Sequence, residues 1–171
     1  MDIQKAPLII RPQNRAEDLA AIGGINAMAF GKGGGTPAFQ ALRTSAHDIV
    51  SLVAERQGEV IGHVFFSPVT LESDPPLQGM GLGELAVAPD WQRQGVGAAL
   101  TEAGIAALRG TRCPFVIVIG LPAYYPRLGF EAGSKYGLKC QWDVPPESFM
   151  VRVLDPGALG DRTGTVRYRD V

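Results

Sequence analysis

Apolar and polar positions fall along this chain in blocks whose periods separate strands from helices. Leu8-Ile9-Ile10-Arg11 reads as a short first strand stopped by Pro12. Asn14, with Glu17 three residues later, offers an N-cap followed by a helix-favouring carboxylate and predicts a first helix running to Phe30. The apolar positions Leu19, Ile22, Ala29 and Phe30 roughly share one face at helical spacing, and Gly31 with Gly33-Gly34-Gly35 ends the pattern. Thr36-Pro37 restarts a helix, because the fixed φ and missing N–H of proline suit a first turn.

Ile49 to Glu55 and Val60 to Phe66 are rich in β-branched and aromatic residues and are separated by Arg56-Gln57-Gly58-Glu59, the pattern of a hairpin. A polar loop containing Pro75-Pro76 leads into Gly81 to Val87, a further strand ended by Ala88-Pro89-Asp90. Gly95 to Leu108, rich in Ala and Leu with no interior proline, reads as a helix, and Phe115 to Ile119 as a buried strand. Strand, glycine turn, helix and strand make a βαβ unit. Beyond it come a short helical segment from Ala123 to Leu128 capped by Gly129, strand candidates at Leu138 to Gln141 and Phe149 to Leu154, and a polar tail. An antiparallel hairpin first and a βαβ unit afterwards predict an α/β (α+β) fold, with one mixed, mostly antiparallel central sheet flanked by helices.

Composition narrows the choice of partner. With 171 residues, 46% of them hydrophobic, and no internal repeat, the chain is expected to form a single domain over residues 1–171. Lys and Arg number 16 against 17 Asp and Glu, with no run of like charge to track a phosphate backbone, so nucleic acid is a poor partner. No apolar run approaches membrane-spanning length, and Met1-Asp2-Ile3-Gln4-Lys5 lacks the apolar core of a signal peptide. A cytoplasmic location, with no membrane partner, is the expectation. Cys113 and Cys140 are expected to be reduced thiols, and His47 and His63 join no cluster with metal-ligand spacing, so no metal is expected.

The chemistry concentrates in Leu85-Ala86-Val87-Ala88-Pro89-Asp90-Trp91-Gln92-Arg93-Gln94-Gly95-Val96-Gly97, a strand that delivers a glycine turn into a helix start. Such a turn aims unpaired amides and the positive end of the helix dipole at one point, and glycine lets an anion approach without a Cβ in the way. A diphosphate is the natural ligand, although glycines at a helix start also serve packing alone. A dinucleotide is disfavoured: Gly95-x-Gly97-x-x-Leu100 lacks the third glycine, and Phe115 to Gly120 holds no acidic residue for a ribose. No G-x-S-x-G elbow supports a serine hydrolase.

Gln92-Arg93-Gln94-Gly95-Val96-Gly97 resembles the Q/R-x-x-G-x-G/A coenzyme A signature of the GNAT N-acetyltransferases, and it follows an L-x-V-x-P strand as in that family. Downstream, Ala123-Tyr124-Tyr125-Pro126-Arg127-Leu128-Gly129-Phe130 looks like the family's A-x-F-Y-x-K/R-x-G-F segment. Gly62 to Pro68 and Gly164 to Tyr168 are similar to the YhbS-like branch. The resemblance implies a GNAT acyltransferase fold with splayed fourth and fifth strands, acetyl-CoA as cosubstrate and an amine acceptor; relatives often pair as homodimers. Leu85, Ala86 and Val87 would line the pantetheine arm, and Gln92, Arg93, Gln94, Gly95, Val96 and Gly97 would cradle the diphosphate. Arg93 stands where many relatives have glycine. The Gly31 to Gly35 stretch resembles the connector that borders the acceptor pocket in relatives.

Under this resemblance the candidate general base is Glu84, at the end of the splayed strand, with His63 as runner-up, and Tyr125 matches the family's general-acid tyrosine. A structural ion pair for Glu84, a satisfied core histidine and a packing tyrosine are the competing readings. The expected activity is transfer of an acetyl group to a primary amine by direct attack on the thioester. The alternative is a CoA-binding regulatory protein without catalysis.

Overall fold

The computed structural model describes residues 6–14, 16–31, 35–45, 47–169 and 171. Met1 to Lys5, with Gly33 and Gly34 of the expected connector, lie outside the described residues. Along the chain run β1 (Ile9–Pro12), α1 (Ala16–Phe30), α2 (Pro37–Ser45), β2 (Val50–Arg56), β3 (Glu59–Leu71), β4 (Leu77–Val87) and α3 (Val96–Gly110). They are followed by β5 (Phe115–Ile119), β6 (Glu131–Ala132), β7 (Leu138–Cys140), β8 (Phe149–Val153), α4 (Pro156–Leu159) and β9 (Gly164–Tyr168). The fold is mixed α/β with a mostly antiparallel sheet in the order β1-β2-β3-β4-β5-β8-β6, and β9 pairs with both β3 and β7. The chain forms two compact units, residues 1–65 with 84–105 and residues 66–83 with 106–171, and β3, β4 and α3 run through both.

In the first unit, β1 pairs antiparallel with β2 from Ile9↔Glu55 to Pro12↔Leu52. The turn between β2 and β3 is two residues long, Gln57 at φ 51 and Gly58 at φ 82. Two left-handed residues in a row match the twist of the strands they join. Of the apolar face predicted for α1, Ile22 is buried, but Leu19, Ala29 and Phe30 are exposed, and Asp18, Ile25 and Asn26 complete the buried face. The reason is ionic. Arg11 of β1 grips both oxygens of Asp18 at 2.8 Å and also reaches Glu55 of β2 at 2.8 Å. Asp18, one residue beyond the expected Glu17, is the carboxylate that reaches back to the Asn14 N–H, at 3.2 Å.

In the second unit, β5 pairs parallel with β4 from Met80↔Val116 to Leu82↔Val118, and antiparallel with β8 from Phe115↔Val153 to Ile119↔Phe149. β4 begins at Leu77, before the predicted Gly81, because its glycines are strand residues. A Cβ on Gly79 would stand 2.6 Å from the Phe115 ring, and one on Gly81 would stand 2.4 Å from the Tyr168 ring. Bare backbone at these points gives the two aromatic rings the room they occupy against β4. The predicted polar tail is a strand: Val166 and Tyr168 of β9 are buried while Arg167 between them is exposed, and β9 pairs with β3 from Val69↔Tyr168 to Leu71↔Val166. β3 runs through Ser67-Pro68, where Pro68 contributes its carbonyl to the Arg169 N–H at 3.0 Å.

Candidate active site

Glu84 lies on β4 one residue before Leu85-Ala86-Val87, and its carboxylate is closed in by donors from α1, α2 and the residue just before α2. Oε1 accepts the Thr36 N–H at 2.7 Å, and Oε2 accepts from Arg43 Nη2 at 3.0 Å and Asn26 Nδ2 at 3.3 Å. Arg43 Nη2 also donates to Nδ1 of His63 at 3.0 Å, and His63 Nε2 meets Oδ1 of Asn26 at 2.6 Å. A guanidinium only donates, so Nδ1 is the acceptor and the proton of the neutral imidazole sits on Nε2, donated to Asn26. Burial first and the Arg43 charge second push His63 down to about 3, which keeps the ring neutral. Its one lone pair is occupied by Arg43, so His63 has none to offer an amine. The satisfied core histidine is the reading that fits.

Arg43 is held through its two terminal nitrogens, while its buried Nε makes no hydrogen bond among the described residues. Its Nη1 donates to Ser51 Oγ at 2.6 Å, and its guanidinium carbon lies 4.4 Å from the centre of the Phe65 ring, which Phe39 meets at 5.3 Å. Burial draws the guanidinium below its ordinary value, an effect opposed by the hydrogen bond and charge of Glu84. Neither Asn26 nor Arg43 announces itself in the sequence. An asparagine inside a helix is a mild propensity defect, and that is the one local sign of Asn26.

The candidate cradle lies in the same unit. After β4 the chain turns through Pro89-Asp90-Trp91, and Arg93 at φ 60 and Gly95 at φ 82 are both left-handed. The side-chain amides of Gln92 and Gln94 fold back onto the carbonyls of Val87 at 2.9 Å and Asp90 at 3.0 Å. They brace the turn, and the anion-facing groups are the backbone amides. The Ala99 N–H reaches the Gly95 carbonyl at 3.0 Å, so Val96, Gly97 and Ala98 precede the helical ladder of α3 and have free N–H groups by geometry. Gln92 to Gly95 are exposed, and nothing stands within 4 Å of a Cβ built on Gly95. On β4, Ala86 is buried and Leu85 and Val87 half-buried; Gly62 of β3 brings the backbone close enough that a Cβ there would stand 3.1 Å from the Ala86 carbonyl.

Tyr125 belongs to the second unit, where it opens a 3₁₀ turn over Tyr125–Leu128 with Pro126 in the second position and Gly129 at φ 83 as its left-handed end. Its ring stands edge-on to Tyr124 at 5.0 Å and to Phe130 at 5.6 Å. It packs flush on Gly120, where a Cβ would be 2.3 Å from Tyr125 Cε2. Burial, then the neighbouring Tyr124, raises the Tyr125 phenol above its ordinary value, so it stays protonated at neutral pH. Among the described residues no helix is long and apolar enough to cross a membrane, and no group of three or more His, Cys, Asp or Glu could hold a metal ion.

Comparison with known proteins shows the family of the chain. A family model described as the acetyltransferase (GNAT) domain matches residues 47–132. The chain is 35% identical over 130 residues to the uncharacterized N-acetyltransferase YhbS of Escherichia coli (strain K12), covering 75% of this chain and 77% of that protein. The crystal structure of Escherichia coli YhbS in complex with CoA superposes with a TM-score of 0.83 at 30% identity, over 96% of this chain and 91% of that one. A GNAT family acetyltransferase from Brucella melitensis, solved in complex with acetyl-CoA, gives a TM-score of 0.72 at 29% identity over 96% and 97%. With its L-x-V-x-P strand, its glycine turn and these relatives, the chain belongs to the GNAT family of N-acetyltransferases.

Proposed function

We propose that this chain is an acetyl-CoA-dependent N-acetyltransferase that passes the acetyl group to a primary amine by direct attack on the thioester. The observation that carries the reading is the turn at Gln92 to Gly95: two left-handed residues, a row of N–H groups ahead of α3, and open space where a Cβ on Gly95 would stand. An anion fits there, and the helix dipole favours it. The match of the family to residues 47–132 and the CoA complexes of the relatives support the choice of diphosphate. One domain over residues 1–171 is part of the reading, since the family match and three elements span both units.

Acetyl-CoA supplies an activated acyl group, and the chain's residues bind, orient and move protons. Gly95, Val96 and Gly97 receive the diphosphate through backbone N–H groups, with Gln92 and Gln94 bracing the turn and Arg93 adding a cation. Leu85, Ala86 and Val87 line the pantetheine arm. The amine nitrogen bonds to the acyl carbon as the C–S bond breaks, and the Leu85 N–H meets the charge that gathers on oxygen. A free alkyl amine has a pKa of about 10.4, so on the order of one in a thousand is unprotonated at pH 7 and a base is needed. Glu84 takes that proton through Oε1, which has one donor where Oε2 has two. Tyr125 returns a proton to the sulfur.

Calorimetry with acetyl-CoA and a thiol-release assay against a panel of amines test the proposal together. Micromolar binding with thiol release for at least one amine is the expected result. Binding without release for any amine would favour the CoA-binding regulator, and absence of binding would remove the reading altogether.

A further inference from the structure

Four side chains from four elements close a ring of hydrogen bonds inside the first unit. Asn26 of α1 donates to Glu84 of β4, Arg43 of α2 donates to Glu84 and to His63 of β3, and His63 donates back to Asn26. All four are buried. The ring occupies Oε2 of Glu84 twice and leaves Oε1 to the Thr36 N–H. Gly35 lies directly against it: φ is +89, and a Cβ would stand 2.9 Å from Oε1 and 2.7 Å from Asn26 Nδ2. Only glycine satisfies both conditions. A buried ion pair gains little over apolar packing of the same volume, so stability alone does not explain why four polar groups are kept here.

We propose that Arg43, backed by His63 and Asn26, is a positioning residue for acetyl transfer: it fixes Glu84 by Oε2 so that Oε1 holds the Gly35-Thr36 backbone beside the start of the Leu85-Ala86-Val87 stretch of β4. The inference rests on the transferase reading for its location. Within β4, Glu84 precedes Leu85-Ala86-Val87, which lead on toward the turn at Gln92 at roughly 3.3 Å per residue, so Glu84 lies on the side of that stretch remote from the diphosphate. The ring therefore governs transfer and acceptor use and leaves diphosphate binding alone.

The test uses Arg43→Gln, His63→Leu and His63→Gln in the full chain. Three quantities are read: kcat and KM for the amine, Kd for acetyl-CoA by calorimetry, and exchange of the Thr36 amide proton. Arg43→Gln and His63→Leu are expected to lower kcat/KM for the amine about tenfold or more while Kd moves less than about twofold, as fits a misplaced rather than a missing group. Thr36 exchange should speed about tenfold or more as its acceptor loosens. His63→Gln, which keeps an acceptor toward Arg43 and a donor toward Asn26, should restore all three. Unchanged Thr36 exchange or wild-type amine kinetics in a folded Arg43→Gln overturns the proposal, as does a parallel loss of acetyl-CoA affinity. If Arg43→Gln does not fold, the contrast between the two His63 variants decides in the same way. A wild-type chain that acetylates no amine defeats the transferase reading, while Thr36 exchange still decides the ring.

Discussion

Arg43 donates to Glu84 at 3.0 Å with the two side chains 1% and 3% exposed, so neither charge has water to fall back on. Such a pair responds asymmetrically to substitution. Losing one partner strands the other in a medium that solvates it poorly, at a cost of about 3–5 kcal/mol, whereas replacing both with apolar groups is often close to neutral. Arg43→Met and Glu84→Leu should each lower stability in urea by about that amount, and the double variant should cost less than the sum of the two, keeping the cost of the Thr36, Asn26 and His63 groups that both substitutions leave unpaired. A double variant as unstable as the sum of the two would show that the charges are not coupled.

His63 makes stability depend on pH in one window. In the unfolded chain it takes a proton below about pH 6.5, and in the folded chain, faced by Arg43 and Asn26, below about 3. Between those values the unfolded state holds more protons. The contribution of neutral His63 is therefore complete above pH 6.5 and is lost as pH falls toward 3, at up to about 1.4 kcal/mol per pH unit. Denaturation of the wild type and of His63→Gln at pH 7, 6, 5 and 4 should diverge in this direction. Equal slopes would mean that the folded protein protonates His63 as readily as the unfolded one.

Glu84→Gln keeps an oxygen for the Thr36 N–H but turns an amide N–H toward Arg43 and Asn26 and leaves the Arg43 charge unpaired, so proton removal is read from the shape of its pH profile in a variant that still melts cooperatively. Transfer should slow most at low pH and recover partly as pH approaches the amine value of about 10.4, where solvent supplies the neutral nucleophile. A loss that is flat across pH would identify Glu84 as a structural anchor only.

The turn at Arg93 and Gly95 gives two opposed outcomes. Arg93 holds a left-handed φ of 60 with a side chain exposed to water, so Arg93→Gly should stabilise the fold by about 0.5–1 kcal/mol while removing a cation from the cradle. Gly95→Glu meets no neighbour within 4 Å, yet φ is 82 and its carboxylate would face the diphosphate. It should cost about 1 kcal/mol of stability and weaken acetyl-CoA binding strongly. Unchanged affinity by calorimetry in a cooperatively melting Gly95→Glu would sink the cradle assignment.

What was legible in the sequence followed local rules. The β2–β3 hairpin showed through Gln57-Gly58, and the α3 start through the glycines around Gln94, because both depend on backbone conformations that few residues tolerate. The face of α1 was misread because Arg11, from another element, decides it by pairing with Asp18. The start of β4 is hidden because Gly79 looks like a loop residue until the Phe115 ring lies against it, and β9 because only Val166 and Tyr168 alternate as buried positions among polar residues until β3 pairs with them. In the candidate site, Glu84 stood out because its neighbours in sequence form a motif. Arg43 and Asn26 did not, since their meaning arises only when α1 and α2 come together over β3 and β4.

Tyr125 and Gly120 provide a two-sided test of the general acid. Tyr125→Phe removes the phenolic proton and keeps the edge-on contacts with Tyr124 and Phe130, so fold and acetyl-CoA affinity should persist. Turnover should fall by about 10²- to 10⁴-fold if proton return to the sulfur limits the rate. Gly120→Ala leaves the phenol intact but puts a methyl group 2.3 Å from Tyr125 Cε2, which forces the ring to shift. A positioned acid should lose turnover in both variants, because a displacement on the order of 1 Å is enough to cost about 10²-fold. A ring that only packs predicts a different pair of results: little change for Tyr125→Phe, and lower stability without a specific kinetic effect for Gly120→Ala. Tyr124→Phe serves as the control and should be nearly silent in turnover. Wild-type turnover of a confirmed amine by Tyr125→Phe across pH would make Tyr125 a packing residue and remove it from the mechanism.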